Sequence, residues 1–216
     1  MNNLSKRVLT SLAILPLSIF FIFKGGNLLQ LFLFLVFVVA NYELFLVFKK
    51  KITILFLDLA LILSLFSIYY LRESDEVSSK LLIWLIILCI CSDIGGYVFG
   101  KTFKWKKITA ISPNKTLSGI LGSFIFSLFS LFIVQNISFT SSAFIQFLEP
   151  KFFFLAIIFS LVAQVGDLSI SFFKRLEDVK DTGKILPGHG GIFDRIDSLM
   201  FVVILGFLLI KFNIIP

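Results

Sequence analysis

Charge is what this chain has least of. Only 15% of its 216 residues are Asp, Glu, Lys or Arg, against about 25% in ordinary soluble domains. That scarcity leaves little material for a basic nucleic-acid groove. Cysteine is reduced to Cys89 and Cys91. Two residues apart on a helix, these thiols point in different directions and cannot bridge, so they are expected as small packing residues. No A-x-A cleavage site follows Lys6 and Arg7, and further apolar runs come after them, so the first run is expected as a retained span rather than a signal peptide. Internal repeats and low-complexity linkers are also lacking.

What the chain has instead is hydrocarbon. Apolar residues make up 58%, 29 of them Phe, and the mean hydropathy is +1.01. That is too apolar for a soluble domain and too apolar for disorder. The formal charge is still +7. An apolar chain with a basic balance is expected as an integral membrane protein with basic loops.

A bilayer core about 30 Å thick needs roughly 20 apolar residues as helix. Seven runs approach this: Val8–Phe23, Leu28–Phe48, Ile52–Tyr70, Leu81–Phe99, Leu117–Val134, Phe152–Phe173 and Leu199–Ile215. Ile137–Leu148 is too short to span and is expected at the interface. The expected fold is all-α, a single polytopic bundle over 1–216 with about seven spans. Counted on alternate sides of those spans, fifteen of the 20 Lys and Arg fall on the N-terminal side. The positive-inside rule then places the N-terminus in the cytoplasm and the C-terminus outside.

Acids interrupt the spans at Glu43, Asp58, Asp93 and Asp167. A charge in a bilayer is costly and normally faces a bundle interior or a polar cavity. Given the expected topology and 1.5 Å per residue, Asp93 and Asp167 each lie about 10 Å below the cytoplasmic surface. Glu43 and Asp58 fall in the same half. For these two, a functional acid and a near-interface acid reaching water are both open, because neither has a polar sequence context. Asp93, in Cys-Ser-Asp-Ile-Gly-Gly-Tyr, and Asp167, in Gln-Val-Gly-Asp-Leu-Ser, are expected to be functional. Their small and polar neighbours permit close helix approach and a hydrated pocket. Ten of the 13 glycines lie in the windows Gly95–Gly122 and Gly166–Gly191, which supports a pocket there.

Two cytoplasmic stretches complete the pattern. In Ser112-Pro-Asn114-Lys115-Thr116, Ser, Pro and Asn make a turn, and Asn or Thr can cap the span that follows. The free amides, the dipole and Lys115 together make an anion site. Alone, the stretch is equally an ordinary capped helix. The segment 171–197 carries more. Asp194 and Asp197 share a helix face at the entrance of a span, where a metal could meet them. The Gly-His-Gly-Gly turn at 188–191 offers amides to phosphate. Lys174, Arg175, Lys180 and Arg195 add positive charge.

This segment resembles the signature of phosphatidate cytidylyltransferases, the CDP-diacylglycerol synthases. The pattern S-x-x-K-R-x4-K-D-x-G-x2-L-P-x-H-G-G-x-x-D-R-x-D is met at every fixed position of 171–197. Asp93 with Gly-Gly-Tyr, and Ser112-Pro-Asn-Lys-Thr, also resemble the family, so the likeness covers residues 92–199. One departure is Ser118, where many members carry Glu. Another is the length, shorter than many members, which leaves room for a further N-terminal helix.

The resemblance implies transfer of a cytidylyl group from CTP to phosphatidic acid. The lipid phosphate is already an anion, so no general base is obligatory, which suits a chain with one histidine. A cation is needed, and magnesium prefers hard oxygen ligands. Asp167 and Asp194 are the first choice of ligands, partly carried over by the resemblance, with Asp93 and Asp197 next. A second cation follows by analogy with two-metal transferases. Lys174 and Arg175 are expected beside the reacting phosphates, although both also fit as positive-inside anchors. Ser112, Asn114, Lys115, Thr116, Ser171, Lys180, Asp181, His189, Gly190, Gly191 and Arg195 are expected to bind substrate phosphates. His189 is nearly as well explained as a structural turn residue. The partners expected are CTP, phosphatidic acid and the bilayer, in a bacterial inner membrane with the site facing the cytoplasm. Nucleic acid is not expected, and a two-fold homodimer is the general expectation for such an enzyme. Two other classes remain readable from the residues: a CTP-dependent kinase of a lipid alcohol, and an ion-coupled transporter using the buried acids.

Overall fold

The computed structural model describes residues 16–109, 112, 115–136, 147–179, 181–183, 185 and 190–215. Residues 8–15 of the first expected span, most of the expected interfacial piece 137–148, and the candidate site residues Asn114, Lys180 and His189 lie outside them. Every element among the described residues is helical. Residues 16–24 form α1. Then come α2 (Gly26–Val47), α3 (Lys51–Glu73), α4 (Glu76–Phe103), α5 (Leu117–Asn136), α6 (Pro150–Leu176) and α7 (Phe193–Lys211). Five of them, α2 to α6, are long and apolar enough to cross a membrane. The chain is a multi-pass membrane protein.

The helices overrun the apolar runs where polar residues can end them well. Asp75 caps α4, accepting from Ser78 N and from Ser78 Oγ, both at 2.8 Å. One turn on, Lys80 is buried but paired with Glu76. At the same end of the bundle the turn between α1 and α2 is clamped by adjacent residues of α3. Arg72 donates to the carbonyls of Ile22 (2.5 Å) and Phe23 (2.9 Å), closing α1. Glu73 accepts from Gly26 N at 2.8 Å, opening α2.

Two apolar cores follow. One is centred on Trp84, whose ring meets Phe147, Phe152 and Phe159 at 5.5–5.7 Å and whose indole N–H donates to Ser130 Oγ at 3.0 Å. The other joins Leu44 of α2, Leu57 and Leu61 of α3, Ile170 of α6, and Phe193 and Met200 of α7. It lies directly beneath the signature segment. Facing outward, Phe34, Phe45 and Leu46 are each more than 60% exposed on α2, as lipid-facing side chains are. Cys89 and Cys91 are free and buried, as expected.

Helices α4 and α5 approach most closely, through Gly95 and Gly122. A Cβ on either would overlap the backbone carbonyl of the other. Gly206 differs: a Cβ there would meet the tip of the flexible Leu85 side chain. Gly122→Ala is therefore expected to destabilise by about 1–3 kcal/mol, as overpacking does. Gly206→Ala should be neutral or mildly stabilising, since alanine is the better helix former by about 1 kcal/mol. Thermal unfolding in detergent checks both. A Gly122→Ala protein as stable as the parent would show that the two helices can separate at no cost.

Candidate active site

One end of the bundle gathers the polar residues. The close α4–α5 contact runs on through Gly96, against Ser123 and Gly119, to Gly100, against Thr116, and a cavity of about 280 Å³ opens beside it. Asp93 and Tyr97 come to it from α4, Thr116, Gly119 and Ser123 from the start of α5, and Gln164 and Asp167 from α6, with Ser112 and Lys115 closing it from the connecting loop. That loop returns on itself through Ile108 N to Lys115 O and Leu117 N to Lys106 O, both at 3.1 Å. Lys115 N also donates to Ser112 O at 3.1 Å, which is the expected turn. Thr116 Oγ1 accepts from Gly119 N at 3.1 Å, so Thr116 is the cap of α5. The hydroxyl of Ser118 lies 3.0 Å from that of Thr116.

Two lysine–carboxylate pairs stand at this end, and they differ in burial. Lys115 Nζ lies 2.7 Å from Asp167 Oδ2, with side chains 22% and 37% exposed, and also donates to Gln164 O at 3.2 Å. Ser171 Oγ is 3.4 Å from the other oxygen of Asp167. Lys174 Nζ lies 2.8 Å from Asp194 Oδ1, with side chains only 11% and 6% exposed. Asp194 Oδ2 accepts two amides, Thr182 N at 2.8 Å and Gly191 N at 3.0 Å. Asp194 lies ahead of the apolar run 199–215. Burial alone would raise its carboxyl, but the Lys174 ammonium and the two amides outweigh that and hold it below the usual carboxylate range.

Asp93, Asp167 and Asp197 are near enough to feel one another's charge, and Lys115 and Arg195 act on the same group. Asp197 Oδ1 accepts from Ser198 N at 2.8 Å. The structure thus brings Asp93, Ser112, Lys115, Thr116, Asp167, Ser171, Lys174, Asp194, Arg195 and Asp197 to one end of the bundle. Arg175 is turned outward: it is exposed and donates to Val179 O at 3.1 Å, closing the end of α6. Gly190 lies beside the Asp194 carboxylate, with the exposed Asp181 packed against it. The Gly191 amide, expected to face phosphate, is taken by Asp194. Tyr97, Gln164 and Ser123 line the cavity without having been singled out. Tyr97 and Gln164 sit inside the two acid windows, and only Ser123 lacks such a signal.

The donor set suits a hard cation. Magnesium often takes one or two carboxylates and completes its shell with water and phosphate oxygens. Among the described residues no group of three or more acidic or other ligating side chains closes around one point. Asp167 with Asp93 or Asp197 would therefore hold such an ion only together with oxygens from a bound phosphate. An ammonium already sits on each of Asp167 and Asp194, which shows that both environments accept a positive charge.

Comparison with known proteins finds the chain's relatives. A model of the cytidylyltransferase family matches residues 45–213. The chain is 40% identical over 149 residues to a phosphatidate cytidylyltransferase of Staphylococcus haemolyticus, covering 68% of this chain and 54% of that protein. It is 37% identical over 139 residues to one of Helicobacter pylori, covering 64% and 48%. It is 41% identical over 149 residues to one of Staphylococcus aureus, covering 68% and 54%. The chain spans about half the length of the curated relatives it matches.

Proposed function

The chain belongs to the cytidylyltransferase family, and on that premise we propose that it transfers a cytidylyl group from CTP to phosphatidic acid, giving CDP-diacylglycerol and pyrophosphate. The observation that carries the reading is the shared location of Lys115, the capped start of α5, Asp93 and Asp167 around one cavity, with the signature residues of α6 and α7 beside it.

A lipid phosphate oxygen attacks the α-phosphorus of CTP. A new P–O bond forms there as the bridging bond to the β-phosphate breaks, and pyrophosphate leaves with the electron pair. Both reactants are anions, so positioning and charge neutralisation dominate the catalysis. Lys115, at the positive end of α5, meets the triphosphate. Lys174 neutralises charge that develops on the transferring group, and Arg195 adds to that field. Asp167 with Asp93 or Asp197 would hold Mg²⁺, which would supply the remaining positive charge, while Asp194, its oxygens taken by Lys174 and two amides, keeps Lys174 in place. A second cation on the same carboxylates is part of the proposal.

The basic asymmetry of the loops supports a site facing the cytoplasm of a bacterial inner membrane. CTP then arrives from the cytosol while the lipid phosphate stays at headgroup depth. The test is the purified full chain in detergent with CTP, Mg²⁺ and phosphatidic acid, followed by product identification. CDP-diacylglycerol and pyrophosphate are expected. A phosphorylated lipid with CDP, or no CDP-lipid from a folded protein, would overturn the reading.

A further inference from the structure

Glu43 lies on α2, outside the signature and two residues ahead of the matched family region, yet it is fully buried against both. Its Oε2 accepts from Ile192 N at 2.7 Å and from Phe193 N at 3.3 Å. These are amides of the first turn of α7, which have no partner within the helix. A carboxylate there both satisfies them and matches the positive end of the helix. The backbone ahead of α7, a strap of which 181–183 and 190–191 are described, packs on the same group: a Cβ at Gly183 or Gly191 would overlap the Glu43 carboxylate. Only glycine lets backbone pass so close. From its other side the strap is held by Asp194, through Thr182 N and Gly191 N. Glu43 and Asp194 therefore grip one short piece of backbone between them. Lys50, following α2, adds a second tie, donating from its amide to Glu177 Oε1 at 3.1 Å and from Nζ to Leu176 O at 3.2 Å. The signature segment is thus tied to the α2–α3 hairpin at 176–177 and again at 192–193.

We propose that Glu43 is a positioning residue for the transfer reaction. It fixes where Asp194 and Lys174 stand by clamping the N-terminus of α7 and the strap above it. The rate effect rests on the cytidylyl-transfer reading; the clamp itself does not.

The test uses the full chain in detergent with three substitutions. Glu43→Ala removes the acceptor. Glu43→Gln keeps an oxygen that can accept. Ile192→Pro removes one donor at a residue whose φ of −64° proline adopts, and its ring stands where the amide now meets Glu43. Deuterium exchange at 193–195 is expected to quicken about tenfold or more in Glu43→Ala and Ile192→Pro, with α4 and α5 amides unchanged. In Glu43→Gln it should stay within roughly threefold of the parent. The kcat for CDP-diacylglycerol formation should fall about thirtyfold in Glu43→Ala with KM for CTP little changed, and Glu43→Gln should restore most of it. Parental exchange at 193–195 in Glu43→Ala overturns the clamp. Faster exchange with an undiminished kcat overturns the positioning role. Equal damage in Glu43→Ala and Glu43→Gln across all helices would show a purely structural residue and also overturn it. If the parent itself makes no CDP-lipid, the functional reading fails, while the exchange pattern still decides the clamp.

Discussion

Asp194→Asn is expected to lower turnover roughly a thousandfold or more, equivalent to about 4 kcal/mol of lost transition-state stabilisation. The reason lies in how completely the carboxylate is used. One oxygen takes the Lys174 ammonium at 2.8 Å, and the other takes the amides of Thr182 and Gly191 at 2.8 and 3.0 Å. An asparagine has one acceptor and one donor end. Whichever way it turns, an NH₂ group faces either an ammonium or two N–H groups. The Lys174 charge then loses its partner in a site where it is nearly buried. Breaking one side of a buried pair costs about 3–5 kcal/mol, so Asp194→Asn should also unfold at a lower temperature. Replacing both partners, as Lys174→Met with Asp194→Leu, should remove the unpaired charge but leave the Thr182 and Gly191 amides without their acceptor, so stability returns only in part and activity not at all. Rates in the detergent assay and thermal unfolding of the same preparations separate the two effects. Near-parental turnover in folded Asp194→Asn protein would remove Asp194 from the reaction.

The same pair marks the boundary between what was legible in the sequence and what was not. Hydropathy located the helices because each must span the same apolar slab, and α2, α3, α5 and α6 begin within two residues of the expected runs. It fell short at α4 and α7, which start five and six residues ahead of theirs. There Asp75 caps α4 from just outside it, Ser78 bonds back to that cap, and Asp194 pairs with Lys174, which hydropathy counts only as a loss of apolar character. The spacing of Asp194 and Asp197 gives them one face on a helix, and α7 begins early enough to contain both. Spacing could not show that one is committed to Lys174 and the strap while the other senses Asp93 and Asp167. Glu43 was the least legible of all. Its partners at Ile192 and Phe193 are 149 and 150 residues away, and its neighbours Asn41 and Tyr42 form no recognisable motif with it. Periodicity and local motifs carry information over one helix at most; a cap supplied from across a bundle is invisible to both.

Asp167→Asn should lose turnover on a similar scale, roughly a thousandfold, but for a different reason and without the loss of stability. Its side chain is 37% exposed at the cavity, and its pair with Lys115 is accessible as well. Such pairs contribute about 0–1 kcal/mol to folding, so the unfolding temperature should barely move. What changes is the field at the phosphates. Asp167 pairs with Lys115, which also donates to Gln164 O, and with Asp93 or Asp197 it would hold the cation that offsets the phosphates' charge. With asparagine there, the anionic character is lost and Lys115 is left to follow the triphosphate alone. The Mg²⁺ concentration giving half the maximal rate should therefore rise, while the KM for CTP measured at saturating Mg²⁺ changes little. Titrating Mg²⁺ in the product assay for the parent, Asp167→Asn and Asp194→Asn checks this directly. An Asp167→Asn enzyme with a parental rate and an unshifted Mg²⁺ dependence would show that the carboxylate serves only to neutralise Lys115. A shift in Asp167→Asn without a change in unfolding temperature, set against the destabilised Asp194→Asn, would separate an acid that acts on the substrate's charge from one that also holds the fold around it.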